Sequence, residues 1–112
     1  EKRRAVPATL AAKQAIADKL VFSKWRAGVG GNLRFFVSGG APLSKKLSYA
    51  FWSAGIPILQ GYGMTEGCVV CANRPDDTHI ASIGTVFEGI EMKVAEVGEL
   101  LVRGKNVMQG YY

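Results

Sequence analysis

The chain has 112 residues, 48% of them hydrophobic and 21% charged, the balance of an ordinary globular domain with a modest core. No apolar run reaches the roughly 18 residues that suggest a membrane span, and no signal peptide opens the sequence, so a cytoplasmic protein is expected. The net charge of +5 divides unevenly: residues 1–55 carry ten Lys or Arg against two Asp or Glu, and residues 56–112 carry four against seven. The basic excess runs along two predicted helices with no aromatic or glycine-rich RNA-binding motif beside it. That argues against nucleic acid and leaves room for attraction to anionic substrates or a peripheral contact with membrane lipids.

The first element is predicted from Pro7 to Ala27 within a helical segment, 1–31. Pro7 suits a first helical turn, and Leu10, Ala17, Leu20, Val21 and Trp25 recur at helical spacings. Arg3, Arg4, Lys13, Lys19 and Lys24 fall on the other face, and Gly28, Gly30 and Gly31 stop the helix.

Residues 32–72 read as an α/β portion. Leu33 to Ser38 is a short aromatic-rich run bounded by glycines, the pattern of a buried strand. Gly39-Gly40-Ala41-Pro42 is a turn. Ser44 is placed to cap a helix whose apolar positions Leu47, Ala50, Phe51 and Ala54 follow i, i+3, i+4, i+7, and Gly55 takes the C′ position. Ile56 to Gln60 follows as a second strand, with Pro57 tolerable near its start. A strand–helix–strand unit joins parallel strands, so the loops 38–41 and 61–66 end on one sheet edge, where open α/β sheets bind ligands.

Residues 73–112 change character to a β-rich portion. Asn73 to Asp77 is loop-like, and Ile90, Met92 and Val94 alternate with Glu91, Lys93 and Ala95 as in a half-buried strand. Glu96-Val97-Gly98 forms a three-residue hairpin loop, and Glu99 to Arg103 returns as the partner strand. The fold class expected is therefore α/β, a strand–helix–strand parallel sheet followed by an antiparallel hairpin. Cys68 and Cys71 flank the apolar Val69-Val70, and with His79 they make too few ligands for zinc. Two reduced, partly buried thiols are expected, without metal or redox function.

The stretch Gly61-Tyr62-Gly63-Met64-Thr65-Glu66 carries the chemistry. Its glycines let backbone approach a ligand, Tyr62 offers a flat π-face, Thr65 a hydroxyl, and Glu66 a hard oxygen for Mg²⁺. Taken singly, each residue has a structural explanation: a core tyrosine, or a Thr-Glu pair opening a helix. Three motifs in order are more specific. Gln60 to Glu66 resembles the tyrosine-glycine-x-threonine-glutamate motif of the acyl-adenylate-forming superfamily. Ser38 to Leu43 resembles the motif before it, and Gly98 to Gly104, leading to Val107-Met108-Gln109-Gly110-Tyr111, the motif after it. Ser82-Ile83-Gly84 and Gly89-Ile90-Glu91 occupy the spacer. Residues 17–24 are similar to a segment of bacterial long-chain fatty-acid CoA ligases, the branch that the chain as a whole resembles.

The resemblance implies a two-step reaction in which a carboxylate attacks the α-phosphate of Mg-ATP and coenzyme A then displaces AMP. It implies that Gly39, Gly40, Ala41 and Pro42 line the adenine pocket and the acyl-carboxylate side, and that Gln60, Gly61, Tyr62 and Gly63 hold adenine. Thr65 then contacts the α-phosphate and Glu66 coordinates Mg²⁺, while Glu99 and Gly104 shape the hairpin. The family's phosphate loop, ribose-binding aspartate and C-terminal lysine are not in this sequence. Glu1 and Gly110-Tyr111-Tyr112 read as cuts, so the chain alone is expected to be inactive and prone to self-association. Gly67-Cys68-Val69 departs from the family's Thr or Ser followed by Pro, beside the acyl pocket, and Val97 replaces a usual acidic or amide turn residue. An adenylating enzyme for aryl or amino acids, or a non-catalytic nucleotide- or partner-binding module, are the alternatives.

Overall fold

The computed structural model describes residues 7–112. A helical run begins at Ala8 and ends at Gly28, in three pieces: α1 (Ala8–Ala17), a wider π-helical stretch (Asp18–Phe22) and α2 (Ser23–Gly28). Pro7 stands just outside as the N-cap with an extended ψ of 139°, its carbonyl accepting from the amides of Leu10 and Ala11. Gly30 and Gly31, both at positive φ, end the run, and the Gly31 amide bonds back to the Arg26 carbonyl. The expected polar face holds at Lys13, Lys19 and Lys24, which are exposed; Arg3 and Arg4 lie outside the described residues.

The apolar stripe is where the sequence reading needs correction. Leu10 and Leu20 are 55% and 60% exposed, so within this chain the run is docked only near its C-terminal end. There the Trp25 ring lies 5.3 Å from Phe51, and Arg26 donates to the Ala54 carbonyl at 2.8 Å while pairing with both Asp18 carboxylate oxygens at 2.8 and 3.1 Å.

Strand β1 (Phe36–Ser38) is shorter than expected and is an edge strand with exposed faces, where a buried one was expected. Helix α3 (Lys45–Ser53) follows. Ser44 is its N-cap by position, but its hydroxyl makes no capping bond. Its C-terminus is a Schellman motif: the Gly55 amide bonds the Trp52 carbonyl and the Ile56 amide bonds that of Phe51, with Gly55 at φ +74°. Such a φ has no steric cost for glycine, which explains why the chain turns there.

Strand β2 (Ile58–Met64) overturns the expected loop at 61–66, since it runs four residues past Gln60. Its first half pairs in parallel with β1, Phe36 against Ile58 through Ser38 against Gln60. Its second half pairs antiparallel with β3 (Cys68–Ala72), Gly61 against Ala72 and Met64 against Cys68, with a bulge between Tyr62 and Gly63. Strand β4 (Thr85–Val86) completes a mixed sheet in the order β1-β2-β3-β4. Strands β5 (Ile90–Val94) and β6 (Leu100–Gly104) form the expected separate hairpin, closed by the Ala95–Glu99 backbone bond around residues 96–98. The core is small: Ala54, Ile56, Leu59, Val70 and Cys71 are its most buried apolar residues, gathered between α3 and the centre of the mixed sheet.

Candidate nucleotide site

The edge where β1 and β2 end in parallel carries the site. Ser38 pairs with Gln60, so the residues after them, Gly39-Gly40 and Gly61-Tyr62-Gly63, are brought alongside each other. A Cβ on Gly39 would lie 3.4 Å from the Gly61 carbonyl oxygen, which measures how closely the two segments pass. Gly40 turns the chain at φ +80°. Between these segments lies a cavity of about 400 Å³ lined by Gly40, Ala41, Pro42, Gln60, Tyr62 and Ile83, among others. A second hollow of about 430 Å³ shares Gly40, Gly61, Tyr62 and Gly63 with the first and adds Ser38, Gly39, Thr65 and Cys68. Tyr62 therefore belongs to both.

The close approach has a physical cause in the second half of β2. A Cβ at Gly61 would meet the Cys71 carbonyl oxygen at 3.1 Å and the Ala72 Cβ at 3.3 Å. One at Gly63 would collide with the Cys68 carbonyl and stand 2.9 Å from the Val69 Cα. Before any ligand is considered, β3 leaves no room for a Cβ at Gly63 and only a tight fit for one at Gly61.

Of the residues singled out in the sequence, Gly40, Ala41, Pro42, Gln60, Gly61, Tyr62 and Gly63 line the first cavity. Gly39 and Thr65 line the second. Glu66 lines neither. It sits in the exposed turn joining β2 to β3, next to Thr65, and borders a smaller depression of about 170 Å³ with Met64 and Val102. That turn is tied to the segment after β6 by three hydrogen bonds. The Asn106 side-chain amide donates to the Gly67 carbonyl, the Met108 amide to the Glu66 carbonyl at 2.7 Å, and the Tyr111 hydroxyl to Glu66 Oε1 at 2.8 Å. The phenol bond holds the Glu66 carboxyl below its ordinary range, its own backbone amide helping, and raises the Tyr111 hydroxyl correspondingly.

The sequence reading missed the third wall of the first cavity. Ala81 and Ile83 line it from the loop between β3 and β4, and Ala81 adopts φ +71°. Buried Asn73, read as one member of a polar loop, is what binds that loop to β2. Nothing in a single sequence marks an asparagine as a buried anchor. Burial pushes the Cys71 thiol up, partly offset by the Tyr62 backbone, whereas Cys68 is exposed, a correction to the expectation of two partly buried thiols.

Among the described residues no three His, Cys, Asp or Glu side chains gather as a ready-made metal cage. One exposed carboxylate beside a threonine hydroxyl still fits Mg²⁺, which is held by one or two carboxylates together with substrate phosphates.

The AMP-binding enzyme family profile matches residues 4–112, and the chain belongs to that family. It is 43% identical over 104 residues to the long-chain-fatty-acid–CoA ligase FadD15 of Mycobacterium bovis, covering 92% of this chain and 17% of that protein. Among solved structures, the anthranilate CoA ligase AuaEII in complex with anthranoyl-AMP matches with a TM-score of 0.61 and 33% identity over 67% of this chain and 17% of its own. The O-succinylbenzoate coenzyme A synthetase MenE of Bacillus subtilis, in complex with ATP and magnesium ion, matches with a TM-score of 0.60 and 29% identity over 70% and 19%. The mixed sheet with its separate strand pair is the architecture shared with these enzymes, of whose length the chain spans about a fifth or less.

Proposed function

We propose that this chain forms the adenine- and magnesium-binding wall of a long-chain fatty-acid CoA ligase. The observation that carries the reading is the single cavity in which Gly40, Ala41 and Pro42 face Gln60, Gly61 and Tyr62. A base fits between a backbone turn and a strand edge, with Tyr62 offering its ring, and the neighbouring hollow reaches Thr65, where the α-phosphate and the acyl carboxylate would meet. Glu66 is the residue that would hold Mg²⁺, with Thr65 beside it for the α-phosphate, and the ion would neutralise phosphate charge there. The protein does little covalent chemistry in such a reaction; positioning and charge neutralisation dominate. Coenzyme A enters as the second substrate, and residues outside this chain complete the site.

The long-chain preference is supported by the 43% identity to the fatty-acid ligase. An aryl-acid substrate is the second reading, supported by the likeness to an anthranilate ligase and by Cys68, which departs from the family pattern and lines the second hollow. The test is ATP–pyrophosphate exchange by the intact enzyme that contains this segment, across long-chain, short-chain and aryl acids. Exchange that depends on long-chain acid and falls by about 100-fold in Glu66→Gln is the expected result. Exchange with aryl acids alone would select the second reading. No acid-dependent exchange with any of them would sink both.

A further inference from the structure

We propose that Asn73 is the positioning residue that sets the shape, and with it the base selectivity, of the first cavity. The inference rests on the reading of that cavity as an adenine pocket. Asn73 is 5% exposed, and its side chain joins β2 to two points of the β3–β4 loop. The Nδ2 group donates to the Gln60 carbonyl at 3.1 Å and to the Ser82 carbonyl at 2.7 Å, and Oδ1 accepts from the His79 amide at 2.8 Å. Its backbone amide donates to the same Gln60 carbonyl at 2.8 Å. Both side-chain donors are thus spent, one on each side of the cavity: Gln60 lines it from β2, and Ser82 stands between the lining residues Ala81 and Ile83.

The loop has few other ties of this kind. Ser82 to His79 and Gly84 to Ser82 are bonds within the loop. Gly84 packs so tightly on the Ala72–Asn73 peptide that no Cβ fits, which fixes the loop's end but not the Ala81–Ile83 wall. A buried amide that meets two carbonyls and one amide accepts no isosteric substitute, because a carboxylate there would face two carbonyl oxygens without a proton to give. The distance between the Gln60 strand and the Ala81–Ile83 wall therefore depends on Asn73. That distance decides which base edge fits, while the reacting carboxylate and α-phosphate lie toward Thr65.

A wall remote from the bond-making atoms contributes to ground and transition state alike, so its loss appears in KM and leaves kcat in place. In the intact enzyme, Asn73→Asp is expected to raise the KM for ATP by about tenfold and to lower the preference for ATP over GTP. The KM for the acid should stay unchanged. Asn73→Ser, which keeps one donor, should show a smaller change of the same kind and serves if the aspartate variant does not fold. Ile83→Ala trims the wall itself without touching Asn73 and should reproduce the split.

A merely structural role for Asn73 would lower the fraction of active enzyme, seen as reduced kcat, with the KM for ATP and the ATP-to-GTP ratio unchanged; that result overturns the proposal. So does an Ile83→Ala enzyme with wild-type nucleotide kinetics. If the unmutated enzyme shows no acid-dependent ATP–pyrophosphate exchange, the adenine reading fails with it. Exchange present but nucleotide kinetics unmoved by the variants would remove only the role of Asn73.

Discussion

The Tyr111 hydroxyl donates a hydrogen bond of 2.8 Å to Glu66 Oε1 across 45 positions of sequence, so the end of the hairpin segment holds the carboxylate at the β2–β3 turn. This bond occupies one oxygen and leaves the other for a cation. A carboxylate ligand held by an outer hydrogen bond keeps its orientation, and loss of such a partner commonly weakens metal affinity.

If the proposed function holds, Tyr111→Phe in the intact enzyme is expected to raise the Mg²⁺ concentration for half-maximal activity by about tenfold. The pH dependence has a definite sign. The phenol keeps the Glu66 carboxyl below its ordinary range, and removing it lets that value rise. On acidification the variant's carboxylate therefore takes up a proton earlier than the wild type, so its Mg²⁺ requirement climbs at a higher pH. Magnesium titrations at several pH values measure both effects, and a variant with an unshifted requirement at neutral pH would separate Tyr111 from the proposed metal site.

Gly63→Ala tests whether the glycine serves strand packing. The added Cβ collides with the Cys68 carbonyl and lies 2.9 Å from the Val69 Cα, both backbone atoms that cannot swing aside. A loss of about 1–3 kcal/mol is expected in denaturant melts. Gly28→Ala is the control: it has open space and no positive φ, so a change within about 1 kcal/mol is expected.

These two sites show what sequence alone could and could not reveal. Pattern located α3, its glycine stop and the β5–β6 hairpin, because helical spacing and strand alternation are local signals. It also placed seven lining residues of the first cavity together, because two strands in parallel must end on one edge. It failed at β2 and β3. Gly61-Tyr62-Gly63 looks like a loop by composition, yet those glycines admit β3 at close range, a tertiary requirement no propensity encodes. It failed also at Phe36 and Val37, whose apolar pattern predicts burial while the chain leaves them 39% and 65% exposed on an edge strand. Asn73 and Tyr111 were invisible because their partners are distant in sequence or are backbone carbonyls.

The helical run should come loose from α3 in acid. Arg26 reaches the Ala54 carbonyl at the C-terminus of α3 while the Asp18 carboxylate holds its guanidinium, and that hydrogen bond draws the Asp18 carboxyl below its ordinary value of 3.8. A carboxyl with a depressed folded value stabilises fully above its unfolded value and loses that effect as pH falls through the folded one. Reduced protection of the amides of residues 23–29, measured against their intrinsic exchange rates, is therefore expected only below about pH 4 in the wild type. In Asp18→Asn the protection should be lower at neutral pH and should not change further through that acid range. The pair is half-exposed, so global stability should hardly move.

The two cysteines should separate cleanly in their chemistry. Cys68 is exposed and lines the second hollow, while Cys71, opposite Tyr62 in the sheet, is fully buried and its thiol is pushed up by that burial. The thiolate is the reactive form, so a buried thiol with a raised value presents little of it to reagent. Iodoacetamide under native conditions is expected to modify Cys68 alone, with Cys71 reacting only after denaturation. Peptide mass mapping distinguishes the two. Native labelling of Cys71 at a comparable rate would mean that β3 opens from the sheet, and with it the strand that excludes a side chain at position 63. Since Cys68 lines the hollow assigned to the acyl carboxylate, bound long-chain acid should slow its alkylation, and a short acid such as acetate should not.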